Sequence, residues 1–131
     1  MSNLSVELDR LDHFALTVRD VDQTCAFYEK VLGMAREPFG EGRVALRFGR
    51  HRININPNPN ELSRKAAVPI PGSAEFCVVA ATPLTDFVAH LRACGVDLEH
   101  GPAETDGAEG LLRSIWFRDP DGNLVKVASY E

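Results

Sequence analysis

The chain has 131 residues, 44% of them hydrophobic and 25% charged, a length that fits one domain and a composition that excludes disordered, collagen-like and coiled-coil chains. Fourteen Lys and Arg against nineteen Asp and Glu leave a formal charge of −5, and no basic run interleaved with aromatics breaks that balance, which argues against a nucleic-acid partner. Apolar stretches fall far short of the roughly 20 residues of a membrane span, and the first thirteen residues, MSNLSVELDRLDH, carry no signal pattern, so no membrane partner and a cytoplasmic location are expected.

Leu11 to Val18 (LDHFALTV) alternates and is rich in β-prone residues, and it stops at the turn-like pair Arg19-Asp20; this predicts a strand. A helix over 23–32 should follow. Asp22 is its expected N-cap, Cys25, Ala26, Tyr28 and Leu32 recur at spacings of three and four, and Gly33 suits the position after its end. Arg43 to Phe48 and Arg52 to Asn56 read as two short strands around the Gly49-Arg50-His51 turn, closed by Pro57 and Pro59. Residues 56–72 (NPNPNELSRKAAVPIPG) are polar and proline-rich. They read either as a connection between modules or as a loop over a site.

The order then repeats. Glu75 to Ala80 is a strand, and a helix from about Pro83 to Cys94 has Thr82 as cap and Pro83 in its first turn, before Gly95. HGPAETDGAEG, residues 100–110, reads as a longer loop; Leu112 to Arg118 is a strand, Asp119 to Asn123 (DPDGN) a tight turn, and Leu124 to Ser129 the last strand. His13 and Glu75 are 62 residues apart, and so are Gly33 and Gly95, with no gap needed between the anchors. We therefore read one α+β domain, 1–131, made of two tandem βαβββ modules, about 9–57 and 73–130, joined by a linker at about 57–72. The three cysteines, Cys25, Cys77 and Cys94, show no CxxC spacing and read as small buried hydrophobes.

LDHFALTVRDVDQTCAFYEKVLGM at the front and SIWFRDPDGNLVKVASY at the back resemble the vicinal oxygen chelate superfamily, which includes glyoxalase I, fosfomycin and bleomycin resistance proteins and extradiol dioxygenases. Pro71-Gly72-Ser73 before the fifth strand is similar to a group of small glyoxalase-domain proteins, some described as virulence-associated. The resemblance implies paired modules forming a curved, cup-like sheet with helices outside, and commonly a homodimer. It leaves open whether one chain closes a cup alone or swaps modules with a partner.

In such proteins a divalent metal (Fe, Mn, Ni or Zn) is held from the first and last strands of each module. The resemblance places His13 and Glu75 at the first-strand positions. At the last-strand positions it puts Lys126 where DPDGN-x-x-E carries a glutamate, and Asn54 and Asn56 where an acid and a histidine are usual. An ammonium beside a divalent cation is strongly repelled, so Lys126 is expected to pair with Glu75. The expected catalytic cluster is His13, Glu75 and Lys126, with Arg52, Asn54, Asn56, Trp116 and Arg118 binding substrate. Three readings fit: a glyoxalase- or dioxygenase-like enzyme acting on a small oxygen-bearing organic molecule, a non-catalytic protein that sequesters one, or a degenerate site kept only as a dimer scaffold, whose sign would be an apolar, closed cup. The bland alternatives are a structural Glu75–Lys126 salt bridge, an edge strand placing the asparagines in solvent, and a core Trp116.

Overall fold

The computed structural model describes residues 5–130; residues 1–4 and 131, the two ends of the expected domain, lie outside it. In chain order the elements are β1 (His13–Val18), α1 (Val21–Leu32), β2 (Ala35–Phe39), β3 (Arg43–Phe48), β4 (His51–Pro57), β5 (Glu75–Val79), α2 (Leu84–Ala93), β6 (His100–Gly107), β7 (Gly110–Arg118) and β8 (Leu124–Tyr130). They build two four-stranded sheets of identical plan, β1-β4-β3-β2 and β5-β8-β7-β6. In each, the first strand pairs parallel with the last and the remaining pairs are antiparallel. No helix among the described residues is long and apolar enough to cross a membrane.

Several local expectations need correction. Asp20, not Asp22, caps α1: its side chain accepts from the Gln23 N–H at 3.0 Å, and the helix starts at Val21. Pro83 precedes α2 with no side-chain cap bond, so Thr82 does not serve as cap. The sequence pattern predicts no element at β2, and β6 occupies the stretch expected to be a loop. Both are edge strands, where charges, Gly and Pro are tolerated because one side of the backbone stays unpaired.

Alternation divides each sheet. Leu16 and Val18 of β1, Ile53 and Ile55 of β4 and Leu46 of β3 turn to one side and meet Cys25 and Tyr28 of α1 in a buried cluster. Ile115, Phe117, Val125 and Val127 of the second sheet pack with Leu84 and Leu91 of α2, and Val31 of α1 joins them. Two aromatic pairs bridge the modules, Phe14 with Phe76 at 4.9 Å between centroids and Phe27 with Phe117 at 6.3 Å.

The DPDGN turn does more than reverse the chain. Asp119 and Asp121 are buried. Asp119 accepts from the Tyr28 hydroxyl at 2.7 Å, from the Asn123 side chain at 2.8 Å, and from the N–H groups of Asp121 and Asn123. Asp121 accepts from the Arg19 N–H at 3.1 Å and the Thr24 hydroxyl at 3.4 Å. A turn of the second module is thereby tied to the helix of the first, and the buried carboxylates have the partners that burial requires.

Candidate functional site

On the first sheet the face opposite the core is built row by row. His13, Ala15 and Thr17 of β1 stand opposite Arg52, Asn54 and Asn56 of β4. Ala45 of β3 is the next neighbour of Asn54, with Glu37 of β2 beyond it, and Phe39 of β2 faces Arg43 of β3. Asn54 thus lies between two alanines, whose short side chains leave a hollow. The linker closes over this hollow. Its path is fixed at one end by Asn58 N–H to the Val18 carbonyl (3.0 Å) and by the Asn60 amide to the Thr17 hydroxyl (3.2 Å). At the other end Ala74 N–H reaches the Asn123 side chain at 2.9 Å.

The result is a cavity of about 360 Å³ between the first sheet and the linker. Its floor includes Asn54 and Asn56, only 6% and 5% exposed, which rules out the alternative of an edge strand placing them in solvent: β4 is an inner strand. Asn54 Oδ1 is buried with no hydrogen-bond partner. Leaving a buried acceptor unpaired costs about 1–3 kcal/mol, so a donor is the group this oxygen favours. Arg43 donates to Asn56 Oδ1 at 3.2 Å, and its guanidinium stacks over the Phe39 ring at 4.6 Å.

His13 lines the same cavity. Its Nδ1 lies 2.7 Å from Asp12 Oδ2, and this bond holds the Asp12 carboxyl below its ordinary range. With one ring nitrogen engaged, Nε2 remains available for proton transfer. Arg52 is directed elsewhere: its guanidinium also lies over the Phe39 ring, at 4.3 Å, and it bonds Glu37, which takes Arg47 as well.

Glu75 and Lys126 lie apart from this cavity. With Cys77, Trp116 and Leu124 they line a shallow concavity of about 150 Å³ on the second sheet. The expected Glu75–Lys126 ion pair is absent among the described residues. Strand register explains why: Lys126 stands opposite Cys77 and Trp116, whereas Glu75 stands opposite Leu124. The Lys126 ammonium sits over the Trp116 ring at 5.4 Å, so Trp116 is a platform on the sheet face. Glu75 is exposed and needs no buried partner. Cys77 is exposed too, against the expectation of a buried hydrophobe, while Cys25 is buried. Arg118 is engaged structurally, bonding both Glu99 oxygens at 3.0 Å and the Gly122 carbonyl.

Within the single chain the donor set does not fit the metal that the resemblance implied. Among the described residues no three His, Cys, Asp or Glu side chains come together to hold an ion. His13 and Glu75 line different concavities, and a lysine stands at the fourth position. Sequence reasoning passed over Arg43, Asp12, Thr17 and Asn60. Arg43 and Thr17 share the face of Asn56 by strand alternation, a signal available in the sequence, whereas Asn60 enters only because the linker folds back.

The family model for the Glyoxalase/Bleomycin resistance protein/Dioxygenase superfamily matches residues 10–127. The chain is 41% identical over 128 residues to "Virulence protein STM3117" of Salmonella typhimurium, covering 98% of this chain and 89% of that one. It is 42% identical over 121 residues to "Glyoxalase domain-containing protein RDO1" of Mycosarcoma maydis, covering 92% and 68%. Among solved structures, an integron cassette protein from the mobile metagenome of V. Cholerae superposes with a TM-score of 0.95 at 44% identity, covering 98% of this chain and all of that one.

Proposed function

The chain belongs to the Glyoxalase/Bleomycin resistance protein/Dioxygenase superfamily, and we propose that it takes a small oxygen-bearing organic molecule into the cavity between its first sheet and its linker. The observation that carries this reading is Asn54, an almost fully buried amide with an unpaired oxygen in the cavity floor. A half-turn of that amide presents either its oxygen or its NH2 to the cavity. Asn56, Thr17 and Asn60 add further polar contacts along the walls.

The His13–Asp12 pair supports catalysis over plain sequestration. Asp12 orients the imidazole, so His13 Nε2 takes a proton from bound substrate and returns it. The chemistry open to the chain's own residues is therefore proton transfer at a carbon or oxygen of the substrate. Glu75, Lys126 and Trp116 form a second polar surface apart from the cavity, which offers a contact for a partner subunit. Exposed Val79 and Leu111 on the second module fit a homodimer, which light scattering measures directly.

The test is thermal-shift screening of the full chain against a panel of small hydroxy acids, keto acids, epoxides and thiol adducts of aldehydes. Each hit is titrated calorimetrically into the Asn54→Leu and His13→Gln variants. The reading expects Asn54→Leu to weaken binding at least about tenfold and His13→Gln to bind but lose turnover. Hits whose affinity ignores Asn54→Leu overturn it.

A further inference from the structure

The cavity's charge is at odds with that of the chain. The protein carries a net −5, yet the cavity lining includes Arg43, Arg64, Lys65 and His13 and not one Asp or Glu. The arginines sharpen the point. Six of them, Arg10, Arg19, Arg36, Arg47, Arg52 and Arg118, have a carboxylate partner among the described residues. Of the other five, Arg50, Arg64, Arg92 and Arg113 are exposed, where water screens the charge. Arg43 alone is half-buried with no acid beside it.

Arg43 is also held in place. One nitrogen donates to Asn56 and the guanidinium plane rests on Phe39, so the side chain keeps its position without an ion pair and has N–H groups to spare. A partly desolvated cation without a counter-charge is unfavourable, and a fixed guanidinium fork suits a planar or tetrahedral oxyanion better than a lone ammonium does. We infer that the ligand of this cavity is an anion, a small molecule whose carboxylate or phosphoryl group pairs with Arg43 while the side-chain NH2 groups of Asn54 and Asn56 donate to its oxygens. Arg64 and Lys65 on the covering linker add attraction at the mouth; the Lys65 ammonium already caps the Leu62 carbonyl at 2.9 Å. This inference rests on the cavity reading above and adds the charge of the ligand to it.

The experiment is a side-chain-resolved 15N NMR titration of the full chain at low ionic strength with three probes: inorganic phosphate, lactate and the uncharged lactamide. The expected result is a saturable shift of the Arg43 Nε–H and the Asn54 and Asn56 NH2 signals with the two anions and none with lactamide. Added sodium chloride should weaken it, and Arg43→Gln should weaken it at least about tenfold. Phosphate acting alone, or lactate alone, assigns the oxyanion type. Lactamide binding as well as lactate, with the same signals moving, overturns the anion inference and leaves the cavity reading standing. No movement of these signals with any probe also overturns it; a neutral compound from the screening panel that depends on Asn54 then keeps the cavity reading, and the lack of any such compound removes both. If Arg43→Gln does not fold, Arg43→Lys, which keeps the charge and loses the fork, supplies the mutant arm, and the wild-type comparison of lactate with lactamide still decides.

Discussion

The hydroxyl of Tyr28 on the first helix donates to Asp119 in the last turn of the second module at 2.7 Å, and both side chains are buried. The contact spans 91 residues of sequence. Burial and the neighbouring Asp119 carboxylate push the Tyr28 phenol well above its ordinary 10.0.

Tyr28→Phe should therefore cost about 1–3 kcal/mol, because Asp119 loses one donor and stays buried. A phenol whose folded value lies above its unfolded one contributes stability that is full below pH 10 and is lost as pH rises beyond it. Wild-type stability should fall above pH 10, and that part of the fall should be missing in Tyr28→Phe. Urea unfolding at pH 8 and at pH 10.5 measures both effects.

Gly72 of the Pro71-Gly72-Ser73 motif has φ +78, and a Cβ there would meet the Asp121 carbonyl oxygen at 2.6 Å. Gly72→Ala should destabilise by about 2 kcal/mol or more, since both the backbone and the contact are strained. Because this glycine ends the linker, the cavity's proteolytic protection should drop with it. Limited proteolysis between residues 60 and 70 checks the second half of the expectation.

Asn54→Leu separates stability from binding. Removing an unpaired buried acceptor is neutral or stabilising by up to about 1 kcal/mol if the leucine fits between Ala15 and Ala45. Ligand affinity should fall in the same protein, so thermal melting and calorimetry move in opposite directions. A variant that loses both has simply misfolded at the floor of the cavity.

Phe14 and Phe76 join the modules through their rings at 4.9 Å. A double-mutant cycle to leucine should give a coupling of about 0.5–1.5 kcal/mol. A coupling near zero would leave the bridging to the Phe27–Phe117 pair, the packing of Val31 and the Tyr28 and Asp121 hydrogen bonds.

The plan of the fold is legible in the sequence because duplication leaves a long-range trace: the 62-residue spacing by itself aligns two strands and two helix ends. The edge strands β2 and β6 are not legible, although the edge strands β1 and β5 are. Ala35–Phe39 contains Arg, Glu and Pro, and His100–Gly107 contains two Gly and a Pro, so neither has the β-branched and aromatic signal of an inner strand. Strand alternation puts Arg52 on the sheet face of Asn54 and Asn56, but Arg52 does not line the cavity. It does not reveal that the linker seals Asn54 in, nor that Glu75 and Lys126 sit two residues out of step across β5 and β8. Those features depend on pairing register and on tertiary closure, which no local pattern encodes.

The repeat also bears on stoichiometry. Ala15 stands opposite Asn54 and Cys77 opposite Lys126, and Ala15 and Cys77 are themselves 62 residues apart. Asn54 and Lys126 are thus the same place in two copies of one sheet, a neutral amide under a covering loop in the first and an ammonium over an indole in an open concavity in the second. Two sites that began as equals have become chemically unlike, so a molecule shaped and charged for one is mismatched to the other, and a saturating titration should count one ligand per chain where an undiverged repeat would hold two.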